Sequence, residues 1–167
     1  MSGVPPEHAT GAGSQDLAPV FLSPAPRRVV LDTNVLVSLY VFDDSRFAPL
    51  RAKMENGEWQ AITSEACFNE FRRVLGYAVF ALAEDRQHAA LAAYGTVALR
   101  FAEPPSGAVV ALPRCADRDD QKFLELARDS GADWLVTADK ALLRLARRDR
   151  LRGLFRIMTP EAALVGL

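Results

Sequence analysis

At 167 residues the chain has the length of one ordinary domain, and 50% hydrophobic residues, 25% charged residues and a mean hydropathy of +0.02 exclude a mainly disordered, collagen-like or coiled-coil protein. A net charge of −1 leaves no whole-protein attraction to nucleic acid or acidic membrane, and two cysteines with two histidines are too few for a Cys/His zinc site. No apolar run approaches the ~20 residues of a membrane span and no secretory signal opens the chain, so the expectation is a cytoplasmic protein, off the membrane, with Cys67 and Cys115 reduced.

Residues 1–26 hold half of the ten prolines among scattered Gly and Ser and read as a disordered leader, which leaves one domain over 27–167. Val29-Val30-Leu31 is a short β-branched run of the kind buried in a parallel strand, and it stops at Asp32-Thr33-Asn34. A helix is predicted over 35–41 and a second over 46–55, capped by Asp43, Asp44 and Ser45. Next come a strand over 59–63, a helix over 65–75 with Ser64 as its N-cap, and a long alanine-rich helix over about 84–101. Residues 103–107 (EPPSG) break the chain. Residues 115–119 lead into a helix ending at Ser130 before Gly131, and Trp134 to Thr137 form another short strand, closed by Asp139. Arg156-Ile157-Met158 is the last strand, and Thr159-Pro160 starts the last helix. This alternation predicts an α/β fold, a three-layer α/β/α Rossmann-like sandwich around a central parallel sheet. No glycine-rich phosphate loop follows the first strand, which removes nicotinamide and ATP readings.

In open α/β sheets ligands collect beyond the carboxyl ends of the strands, and two strands deliver an acid there, Asp32 and Asp139. Stepping ~100° per residue along 65–75 puts Ala66, Cys67, Phe68, Phe71, Val74 and Leu75 on one arc with Glu70 inside it. An inward carboxylate needs a partner; a nearby arginine is the plain candidate. In the following helix Asp120 shares a stripe with Phe123, Leu124 and Ala127, whereas Asp117 and Asp119 sit where capping residues belong, with Asp119 a helper to the site. Carboxylates sharing one pocket repel unless a cation joins them. Oxygen-only ligation points to Mg²⁺ or Mn²⁺, and that ion with a water nucleophile points to phosphodiester hydrolysis.

The segments VVLDTNVLVS, SEACFNEFRRVL and CADRDDQKFLELARDSGADWLVTADKALL resemble the successive motifs of the PIN domain, closest to its toxin–antitoxin branch, the relatives of the VapC toxins. The similarity runs from about Arg28 to the C-terminus. It implies a Mg²⁺- or Mn²⁺-dependent ribonuclease on a PIN-like fold, frequent homodimers, and a small antitoxin partner that lies in the active-site groove. Residue by residue, Asp32, Glu70, Asp120 and Asp139 match the family's four acids, and Thr33, Asn34 and Thr137 match the polar residues that orient them. Relatives often carry Pro at the position of Arg118 and Asp at that of Gln121, so the acid cluster here is poorer.

An RNA substrate needs positive charge, for which Arg144, Arg147, Arg148, Arg150, Arg152 and Arg156 form a basic stretch, with Arg72 and Arg73 on the helix of Glu70. An aspartyl-phosphate hydrolase would need a second Asp where Asn34 stands. A phosphoacceptor domain could use Thr137 and Lys140 but lacks an acidic pair after the first strand. The alternative of a different class is a catalytically silent PIN-fold module that binds RNA or a partner.

Overall fold

A computed structural model describes residues 24–102 and 110–166. The leader expected over 1–26 lies outside the described residues except for its last three, and the break expected over 103–107 lies wholly outside them. The apolar run at the start of the domain forms β1 (Arg27–Leu31), which lies at the centre of an all-parallel sheet. Its companions are β2 (Trp59–Thr63), β3 (Ala98–Arg100), β4 (Trp134–Val136) and β5 (Arg156–Met158), in the spatial order β3-β2-β1-β4-β5. Val29, Val30 and Leu31 are all buried. A strand covered on both faces must be apolar at every position rather than at alternate ones.

Among the described residues, seven α-helices connect and cover the strands: α1 (Thr33–Tyr40), α2 (Ala48–Glu55), α3 (Glu65–Leu75), α4 (Glu84–Val97), α5 (Gln121–Asp129), α6 (Lys140–Leu145) and α7 (Pro160–Val165). The pleat sorts the core into two layers. Val29 and Leu31 of β1, with Trp134 and Val136 of β4, pack beneath α1, α2, α4 and α7, while Val30 and Leu135 turn to the other face and meet α5 and α6. The sandwich expected from the sequence is thus present.

Two local expectations are corrected. The helix predicted to run to 101 ends at Val97, the second of two β-branched residues that follow Gly95, and Ala98–Arg100 turns into a short edge strand paired with β2. The second helix starts at Ala48, not 46. Asp44 accepts the main-chain N–H of Arg46 at 3.0 Å and grips its guanidinium, which closes a turn ahead of the helix. No helix among the described residues is long and apolar enough to cross a membrane.

Candidate active site

The sheet order doubles back between β1 and β4, and at such a switch point the following connections leave toward opposite faces and open a crevice beyond the strand ends. Asp32 is the first residue after β1, and its N–H still donates to the Val136 carbonyl of β4 at 3.0 Å. Asp139 lies just past the end of β4. The carboxylates therefore reach one crevice because two neighbouring parallel strands end side by side.

Between them stands Thr137, fully buried. Its hydroxyl donates to Asp32 Oδ2 at 2.7 Å and accepts the Asp139 N–H at 2.9 Å, and its own N–H donates to the Met158 carbonyl of β5. Burial pushes the Asp32 carboxyl above its ordinary value. The Thr137 hydroxyl and the Asn34 amide oppose that shift, and the charge of Glu70 adds to it. Asn34 contributes through its main chain, its side chain being exposed. Asp139 is both a strand-end acid and a helix cap, because its Oδ1 accepts the N–H groups of Ala141 and Leu142 at 2.6 and 3.0 Å.

Glu70 comes from α3, a helix begun by the predicted cap: Ser64 Oγ accepts the Cys67 N–H at 3.2 Å. Cys67, Phe68, Phe71 and Leu75 are buried as the phase required, though Ala66 is exposed. Glu70 points inward with its side chain 13% exposed. Its Oε1 accepts the Thr33 hydroxyl at 2.7 Å. Its Oε2 meets the Lys122 ammonium, so the side-chain cation beside it is a lysine of α5, not an arginine, the plain alternative to a metal.

Asp120 occupies the N-cap position of α5 but makes no side-chain cap bond, which leaves its carboxylate free to face the crevice. Desolvation first, then the charges of Asp32, Asp117, Asp139 and Glu70, push its pKa up to about 6. That set of neighbours draws Asp32, Glu70, Asp120 and Asp139 into one field. Asp119 is exposed, its N–H held by Asp117 Oδ1, so Asp120 is the better placed of the two. Gln121, where relatives carry an acid, accepts the Cys115 N–H at 2.8 Å and donates to the Pro113 carbonyl at 3.4 Å. It pins the loop before α5, and the donation to Pro113 is one a carboxylate could not make.

Among the described residues no three His, Cys, Asp or Glu side chains stand close enough together to form a ready metal site. The donor set still fits a hard divalent cation. It is all oxygen, and the charges of Asp32, Asp117, Asp139 and Glu70, which add to burial in raising Asp120, mark a repulsion that such an ion would relieve.

The basic residues divide. Lys140, Arg144 and Arg147 line a hollow along α6, which starts at the site, and Arg147, Arg148, Arg152 and Arg156 line the next one. Arg72 and Arg73 lie on the exposed face of α3, where Arg72 donates to Asn69 Oδ1 and sits over Phe68, and they line neither hollow. Sequence reasoning misses Lys122. Its partner is far away in the chain, and only its place two residues after Asp120 hints at the site.

No curated protein matches this sequence. A family model described as the PIN domain matches residues 28–141, which takes in Asp32, Glu70, Asp120 and Asp139 together with Thr33, Thr137 and Lys122. With that match covering well over half of the chain, and with the parallel sheet and strand-end acids described above, the protein belongs to the PIN domain family.

Proposed function

We propose that this chain is a metal-dependent endoribonuclease that hydrolyses RNA phosphodiester bonds, and that it is the toxin of a toxin–antitoxin pair, working in the cytoplasm as a homodimer held in check by a small antitoxin. PIN domains are typically nucleases and generally use divalent metals. The observation that carries the reading is geometric: Asp32 and Asp139 stand side by side at the switch point on the shared Thr137 hydroxyl, and the inward Glu70 is tied to the same turn by Thr33. Asp32, Glu70, Asp120 and Asp139 would hold Mg²⁺ or Mn²⁺, with Asp119 at the rim. A bound ion of this kind activates water for in-line attack and offsets charge on the leaving oxygen. Thr33 and Thr137 orient two of the acids through their hydroxyls. Arg144 on α6, the helix that leaves the site, and Arg147 and Arg148 just past its end supply positive charge that RNA phosphates can follow.

The second reading, a silent PIN-fold module that binds RNA or a partner, draws on the Glu70–Lys122 pair, which neutralises one acid without any metal. One experiment separates the two. Structured and single-stranded RNA are incubated with the full chain in Mg²⁺, Mn²⁺ or EDTA, beside Asp32→Asn. Cutting that needs metal and falls at least ~100-fold in the variant supports the nuclease. A folded protein that takes up no metal and leaves every RNA intact favours the module.

A further inference from the structure

We propose that Lys122 is the resident counter-cation of the acidic crevice: its ammonium holds Glu70 while the site lacks metal and gives Glu70 up when a divalent cation enters, so that this lysine sets the site's affinity for metal. The inference rests on the reading of Glu70 as a metal ligand.

Both carboxylate oxygens of Glu70 are engaged, Oε1 by the Thr33 hydroxyl and Oε2 by the Lys122 ammonium. Neither can reach a metal without losing or sharing a donor. The two donors differ in kind. Thr33 is buried at the start of α1, and its hydroxyl is fixed by the turn that carries Asp32. Lys122 ends a flexible four-carbon arm in the first turn of α5, and its side chain is 23% exposed. The arm has somewhere to go and the hydroxyl does not.

The ammonium also has partners that do not depend on Glu70. It donates to the Asp119 carbonyl at 2.5 Å and stands 5.2 Å from the centroid of the Phe123 ring. Among the described residues no other Lys or Arg forms an ion pair with Asp32, Glu70, Asp120 or Asp139. Among the described residues the one ion pair made by these four acids is therefore that of Glu70 with Lys122. A divalent ion brings more charge to the same carboxylates, and two cations on one carboxylate oxygen repel. Oε1 keeps its Thr33 bond throughout, so Glu70 stays aimed into the crevice while its second oxygen changes partner.

The test is a double-mutant cycle on the full chain, read by calorimetric titration with Mn²⁺ alone. Lys122→Met should tighten Mn²⁺ binding about tenfold or more, as expected for removing one cation at contact range. The gain should vanish when Lys122→Met is made in a Glu70→Gln background. Should Lys122→Met fail to fold, amine labelling of the wild-type protein decides, with Lys53 as the remote reference: Lys122 should label faster once Mn²⁺ is bound. Unchanged or weaker Mn²⁺ affinity in Lys122→Met, a gain that survives in Glu70→Gln, or labelling that ignores the metal would each overturn the proposal. If wild-type protein binds no Mn²⁺, the metal reading itself falls and takes this inference with it. If it binds Mn²⁺ while Lys122 stays inert, the inference alone is wrong.

Discussion

Thr137 and Asp32, 105 residues apart in sequence, share a buried hydrogen bond of 2.7 Å, and the same hydroxyl receives the N–H of Asp139. One side chain thus aligns acids from two strands. Thr137→Val keeps the shape and removes both bonds. The fold should lose about 1–3 kcal/mol by chemical denaturation, because a buried carboxylate and a main-chain N–H each lose a partner. Thr137→Ser should restore most of it. A valine variant as stable as wild type would mean that Asp32 finds its donors elsewhere.

The pH dependence follows from Asp120. Its ordinary value is 3.8 and the fold raises it to about 6, so between those values the folded protein holds more protons than the unfolded chain. The metal-free protein should then lose stability as pH rises through that window and level off above it. A divalent cation must compete with the same proton. Mn²⁺ binding near pH 5.5 should be weaker than at pH 7.5 and release about one proton, read from the dependence of calorimetric heat on buffer. Asp120→Asn should remove most of that release; an unchanged release would assign the proton to another group.

Charge reversal just beyond α6 tests the RNA track. Arg147→Glu with Arg148→Glu should weaken single-stranded RNA binding and lower the slope of log affinity against log salt by about 0.7 for each phosphate that is no longer neutralised. The measurement is fluorescence anisotropy over a salt series. An unaltered slope would show that these arginines only face solvent.

Tyr94 tests the support behind Glu70. Its ring, 1% exposed, stacks on Phe68 at 6.0 Å and meets Phe71 edge-on at 5.8 Å, both on α3. Tyr94→Ala should cost about 3–5 kcal/mol in a urea melt, with Tyr94→Phe costing far less. A small loss in the alanine variant would mean that α4 can shift to close the gap.

What could be read from the residues depended on whether the signal was local. Val29-Val30-Leu31 and Trp134-Leu135-Val136 are short apolar runs ended by polar residues, and both form central strands. Glu70 betrays its direction through helical phase, since its neighbours on the arc are large and apolar. Ala98–Arg100 could not be seen, because three residues continuing straight out of a helix carry no period of their own, and only pairing with β2 makes them a strand. Asp44 looks like a cap, but the guanidinium two residues on takes its carboxylate. The Lys122 pairing is tertiary in origin: neither α3 nor α5 alone specifies which cation Glu70 will meet.

The position of β1 has a consequence for synthesis. Of the described strands β1 comes earliest in the chain yet sits in the middle of the sheet, and its partner on one side, β4, comes from the last third of the chain. Until β4 leaves the ribosome, Asp32 has neither Thr137 to align it nor Asp139 beside it. Late long-range pairing delays completion of the fold. Here it also means that the acids of the crevice are brought together only after β4 has paired with β1.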